Sequence, residues 1–197
     1  MSATAEQIKR LRELTGAGVL DAKRTLEQYN GDFDKALAVL KEKGLKAAEK
    51  KAERVAKQGL IETYVHAGGK IGVIVEVNCE TDFVAATNEF KQLAHDLALQ
   101  IAAAKPRYVS MNDIPADVVE AQKKIFTDAA RAEGKPEAII EKIVQGKTDA
   151  FFKETVLLRQ PFIRDEAVTI QDLIQSVIAK LGENIVVRRF ARFELGE

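Results

Sequence analysis

The chain has 197 residues, 46% of them hydrophobic and 30% charged, which suits one sizeable domain or a small domain joined to a larger one. Lys and Arg number 30, as do Asp and Glu, so no global charge argues for nucleic acid, an anionic membrane or an acidic tail. The lone Cys79 excludes an intramolecular disulfide framework, MSATAEQIKRLREL lacks a signal-peptide core, and no apolar run could cross a bilayer. A cytoplasmic protein with no membrane partner is expected.

Residues 4–44 read as three short helices. Thr4 with Gln7 three positions on is a capping-box start, and Ile8, Leu11 and Leu14 share a helical face. TGAGVLD interrupts, its two glycines making a tight turn that lets a neighbouring surface approach the backbone. A second helix carries Val19, Ala22, Leu26 and Tyr29 and stops at Asn30-Gly31; Asp32 caps a third, with Gly44 expected as its terminator. Val19 and Leu20 are adjacent and cannot both face one narrow core stripe, so one of them is expected at the surface as part of a docking patch. Residues 45–59 then read as a connecting helix or linker. Between Lys41 and Lys57 there are seven Lys or Arg against three Glu. With no interleaved aromatic and no RNA-binding signature, a solvated face explains this better than a nucleic-acid patch.

Residues 60–197 form the expected larger domain. From Leu60 the period changes to two: LIETYVH, AGGK and IGVIVEVNC read as a β-hairpin turning at Gly68-Gly69. A phosphate loop is excluded there, because G-x-x-x-x-G-K-[ST] is absent and no helix opens after Lys70. A long helix is predicted from Asn88 to Lys105-Pro106, another over 115–133, and two more over GKPEAIIEKIVQG and KTDAFFKETVLL, separated by Gly146. Gln160-Pro161 breaks the chain before a helix capped by Thr169 and Asp172 and stopped at Gly182. NIVVRRFARFELGE ends as a strand. Helices around a small antiparallel sheet make an α+β fold.

Chemistry is sparse. His66 and His95 are the only histidines, and neither H-E-x-x-H nor a cysteine cluster offers a metal site or cofactor. Cys79 stands where strand alternation places a small buried residue, and Glu80 and Asp82 at a strand exit suit turn and cap duty. No dinucleotide fingerprint or nucleophile elbow occurs, so an enzyme is not expected. Phe83 is the odd residue: a large aromatic directly after an aspartate, where a chain leaving a sheet should turn polar. It could close the hairpin's own core or fill somebody else's.

LRELTGAGVLDAK, EVNCETDFVA and LGENIVVRRF, in that order across the whole chain, resemble the elongation factor Ts family, guanine-nucleotide exchange factors for the translation GTPase elongation factor Tu. The resemblance implies a ubiquitin-associated-like (UBA-like) helical module at 1–44 and a core at 60–197. It implies that Thr81, Asp82, Phe83 and Val84 reach into the GTPase, where the aromatic wedges between helices and disturbs the groups ordering bound magnesium. Nucleotide then leaves, because magnesium bridges and neutralises its phosphates. It further implies partner contacts from Arg12, Val19, Leu20 and Lys23 in the module, and from His66, Leu181 and Gly182 in the core. Many relatives carry two methionines where this chain has Val19-Leu20, and isoleucine where it has Leu181. Many also carry the hairpin and helix twice; one copy here implies a short form acting as a homodimer that binds two GTPases, with the final strand or the hairpin as a self-pairing edge. The alternative is an RNA-binding, ribosome-associated factor using the Lys-rich helix.

Overall fold

The computed structural model describes residues 3–197. Helices α1 (Ala5–Thr15), α2 (Val19–Gln28) and α3 (Phe33–Glu49) come first. The Thr4–Gln7 capping box opens α1, and the Asp32 side chain caps α3. Leu11, Ala22, Leu26, Ala36 and Leu40 form a small core between them, with Ile8, Phe33 and Leu37 packed against it. Gly44 does not end the third helix. The helix runs through it to Glu49, because Gly44 packs against α8 (Ile170–Leu181), where an added Cβ would lie 3.1 Å from Ala179 Cβ. Its missing side chain serves packing here, and one helix joins the small core to the large one through Ala48.

Strands β1 (Gln58–Val65) and β2 (Ile71–Cys79) form the expected hairpin, with Gly68 and Gly69 both at positive φ in its turn. Strand β5 (Val186–Glu194) pairs antiparallel on the other side of β2, giving the order β1-β2-β5. Arg188 is an extra residue in that ladder, since Glu76 pairs with Arg189 and Val77 with Val187. One sheet face presents Val73, Val75, Val77 and Cys79 to Leu93, Leu97 and Ile101 of α5 (Asn88–Ala104) and to Ile174 and Ile178 of α8, making the large core.

Between α5 and α8 lie α6 (Ala116–Ala132) and α7 (Glu137–Thr155), which pack chiefly on each other as a helical hairpin. Gly146 does not divide the second of these: α7 is one helix of 19 residues with the glycine exposed inside it. An interior glycine costs about 1 kcal/mol relative to alanine, which the flanking turns outweigh. A two-stranded ribbon of β3 (Pro161–Phe162) and β4 (Asp165–Thr169) then leads into the Thr169–Asp172 capping box of α8. Its strands are too short for a period to show in the sequence.

Candidate partner-docking site

The stretch after β2 forms a single turn of helix, α4 (Asp82–Ala85). Thr81 is its N-cap, its hydroxyl accepting from the Val84 N–H at 3.3 Å. Phe83 projects from this turn and is 82% exposed. Asp82 beside it is also exposed, whereas Val84 and Ala85 turn back onto the large core. The aromatic therefore does not close the hairpin's own core. An apolar ring of that size is left in water on an ordered turn.

The turn is gripped from its other side by the loop after α8. Glu183 Oε2 accepts from the backbone N–H of Glu80 at 3.1 Å and of Thr81 at 2.9 Å, while the Thr81 hydroxyl donates to Glu183 Oε1 at 2.6 Å. The exchange is mutual, since Glu80 Oε1 accepts from the Asn184 N–H at 2.7 Å. Asn184, itself buried, donates from Nδ2 to the carbonyls of Ala52 and Arg54, tying in the segment between α3 and β1. Glu80 thus has a capping duty, toward the other loop's backbone. Cys79 is fully buried at the strand end, and its thiol donates to the Thr81 carbonyl at 3.1 Å. Burial, and then the nearby Glu183 carboxylate, push that thiol's pKa up, which disfavours the nucleophilic thiolate.

The contacts expected in the small module lie around the Gly16–Gly18 turn. Gly16 caps α1 with φ 68°, and a Cβ there would come within 2.5 Å of Lys180 Cα. The neighbouring surface that the glycine turn admits is thus the chain's own α8. Val19 and Leu20 are both exposed, at 50% and 67%, so the apolar patch is larger than the helical stripe suggested. Arg12 and Lys23 are exposed beside them, and Lys23 lies 3.8 Å from Glu27. Leu181 is half-buried against the large core, and Gly182 adopts φ 82° to end α8 immediately before Glu183. The end of α8 therefore lies between the module's glycine turn and the loop carrying Phe83.

His66 is not part of this gathering. Gln58 pairs with Cys79 near the Phe83 loop, but Val65 pairs with Gly72 at the far end of the hairpin, roughly 25 Å away for eight residues of strand. There His66 is exposed, with Nδ1 2.9 Å from the Tyr64 hydroxyl oxygen. Glu183 and Asn184 are the residues that the sequence pattern underrated. They act across about a hundred positions, and only the pairing of two separate motifs could have suggested them.

Among the described residues no group of three His, Cys, Asp or Glu could hold a metal ion, and no helix is long and apolar enough to cross a membrane. A braced turn with an outward aromatic, beside a helical module with its own outward apolar pair, defines a protein built to dock on another. A family model described as Elongation factor TS matches residues 2–197. The chain is 56% identical to Elongation factor Ts of Coprothermobacter proteolyticus over 197 residues, covering both proteins completely. It is also 56% identical to Elongation factor Ts of Carboxydothermus hydrogenoformans over 194 residues, covering 98% of this chain and 89% of the relative. The chain belongs to the elongation factor Ts family, translation elongation factors that act as guanine-nucleotide exchange factors for elongation factor Tu.

Proposed function

We propose that nucleotide exchange on elongation factor Tu is driven in this protein by Phe83, presented by the Thr81–Val84 turn as a wedge for a pocket in the GTPase. The observation that carries this reading is the 82% exposure of Phe83 on a turn otherwise held by buried and half-buried groups. The wedge favours the nucleotide-poor form of the GTPase, and by linkage nucleotide weakens the grip of the factor. No bond is made or broken, so the protein is an exchange factor and not an enzyme, acting in the cytoplasm where translation proceeds. Arg12, Val19, Leu20 and Lys23 form a second contact, and Leu181 and Gly182 join it to the wedge. His66 reaches the partner from the far end of the hairpin. The RNA-binding alternative finds no support in the family assignment, and Lys46 of the basic stretch is paired with Glu42 at 2.6 Å.

The sheet supports a homodimer, by its face more than by its edge. Ile61, Val65, Ile74 and Phe193 point away from the core and are 64%, 67%, 47% and 69% exposed. The registers Thr63–Ile74–Ala191 and Val65–Gly72–Phe193 place them on one surface. A second copy laid on this face buries it sheet to sheet, and the pair then carries two GTPases. Ile74→Asp is expected to leave a monomer by light scattering.

The test of the wedge is release of a fluorescent GDP analogue from purified elongation factor Tu. Wild type accelerates release, and Phe83→Ala, still folded by circular dichroism, is expected to lose roughly tenfold or more of that acceleration. Equal acceleration by both proteins would remove Phe83 from the mechanism while leaving the exchange activity standing.

A further inference from the structure

We infer that Glu183 is a positioning residue for exchange: its carboxylate holds the turn that presents Phe83, so its loss slows nucleotide release without weakening docking elsewhere. This rests on the exchange reading of Phe83.

A helix of four residues has no stability of its own, because nucleation fixes several residues before hydrogen bonds repay the entropy. Phe83, 82% exposed, contributes little packing to the fold. Order must come from the turn's start, and there the groups converge. The backbone N–H groups of Glu80 and Thr81 both donate to one oxygen of Glu183, and the Thr81 hydroxyl donates to the other. That hydroxyl also accepts from Val84, so the carboxylate fixes the cap as well as the backbone before it. The Asn184 N–H donation to Glu80 locks the opposite loop in return. Glu183 follows Gly182, whose left-handed backbone ends α8 and turns the chain toward the Phe83 loop.

Without the carboxylate, two backbone donors and a hydroxyl turn to water and the segment frays. Docking through the other contacts does not restore that order, so its entropy must be overcome after docking, in the step that inserts the aromatic, a cost that preorganisation removes. The docking patch around Val19 and Leu20 is on a separate core and keeps its geometry. A frayed wedge therefore lowers the limiting rate of release at saturation and leaves the half-saturating concentration nearly unchanged.

The experiment measures release of the fluorescent GDP analogue from elongation factor Tu over a concentration series of wild type, Glu183→Ala, Glu183→Gln, Phe83→Ala and the Glu183→Ala/Phe83→Ala double variant. Amide hydrogen exchange is followed in the free proteins. Glu183→Ala is expected to lower the limiting rate about tenfold, in keeping with the loss of hydrogen bonds to a charged acceptor. Glu183→Gln, which can still accept from the backbone and meet the Thr81 hydroxyl, is expected within about threefold of wild type. The double variant should be no slower than Phe83→Ala alone, because both changes remove one effect. Amides of residues 80–84 should exchange faster in Glu183→Ala while those of α5 stay protected. Glu183→Asp, which keeps the charge but shortens the reach, provides an intermediate should the alanine variant not fold.

A Glu183→Ala protein with the wild-type limiting rate, or one whose defect multiplies with that of Phe83→Ala, overturns the positioning role. So does a change confined to the half-saturating concentration. Unaltered amide exchange at residues 80–84 overturns the brace whatever the release rates do. A wild-type protein that fails to accelerate release overturns the exchange reading itself, while the amide data still report on the brace.

Discussion

The two hydrophobic cores of this molecule stand very differently. The small one rests on Leu11, Ala22, Leu26, Ala36 and Leu40, whereas the large one gathers a sheet face and the inner faces of two long helices. Both carry proposed partner contacts, but only the large one has buried surface to spare for stability of its own. The small core borrows from the large by contact with α8, at Gly16 against Lys180 and Gly44 against Ala179. A crevice of about 310 Å3, lined by Leu14, Leu45, Val168 and Leu173, remains between them. Where a module is too small to be rigid alone, glycines at the seam let a larger neighbour supply the rigidity.

The strongest way to break this contrast is to injure each core equally. Leu26→Ala and Leu97→Ala each remove a fully buried leucine and should each cost about 2–5 kcal/mol. For the large core the expected result is one shifted thermal transition. For the small core it is early loss of the α1–α3 helices ahead of the main transition, seen by amide exchange. A single shared transition in the Leu26→Ala protein would show that the two cores unfold as one.

Gly16→Ala probes the seam. Its φ of 68° costs a residue with a Cβ about 1–2 kcal/mol, and overlap with the Lys180 backbone adds about as much again. The module should loosen, with α2 amides exchanging faster and the large core unchanged, by hydrogen exchange followed by mass spectrometry. Gly44→Ala should matter less. The gain of about 1 kcal/mol in helix propensity opposes a 3.1 Å approach to Ala179 Cβ, so urea unfolding should move by less than about 1 kcal/mol either way.

The smallest effect belongs to the far end of the large domain. Lys105, and then Arg192, hydrogen-bond Glu194 and pull its pKa down from 4.5 to about 2. A carboxyl with a lowered folded pKa contributes stability that is present above pH 4.5 and lost as pH falls toward about 2. Glu194→Gln should flatten the fall in melting temperature across that window and leave neutral-pH exchange activity alone.

Much of this was legible along the chain. Caps at Thr4, Asp32 and Thr169 and the stop at Gly182 have local causes, and each is where its sequence pattern puts it. Gly44 and Gly146 misled because a glycine's meaning depends on what lies against it: one faces Ala179 and the other faces solvent inside a helix. At the site, the neighbours of Phe83 raised the question of its place but left its own core and a partner's both open, and only the fold shows the ring in solvent. The brace by Glu183 does not, since a glutamate after a helix-ending glycine reads as surface until the fold brings Thr81 to it.

That brace also sets an order of events in time. Glu183 and Thr81 are separated by 102 positions, and β5, which completes the sheet beside β2, lies later still. A growing chain can assemble its first three helices and its hairpin early, from neighbours in sequence. It cannot hold its aromatic in place until the loop after α8 has been synthesised and folded back. The hydrogen bonds that hold the Phe83 turn are therefore among the last the chain can make.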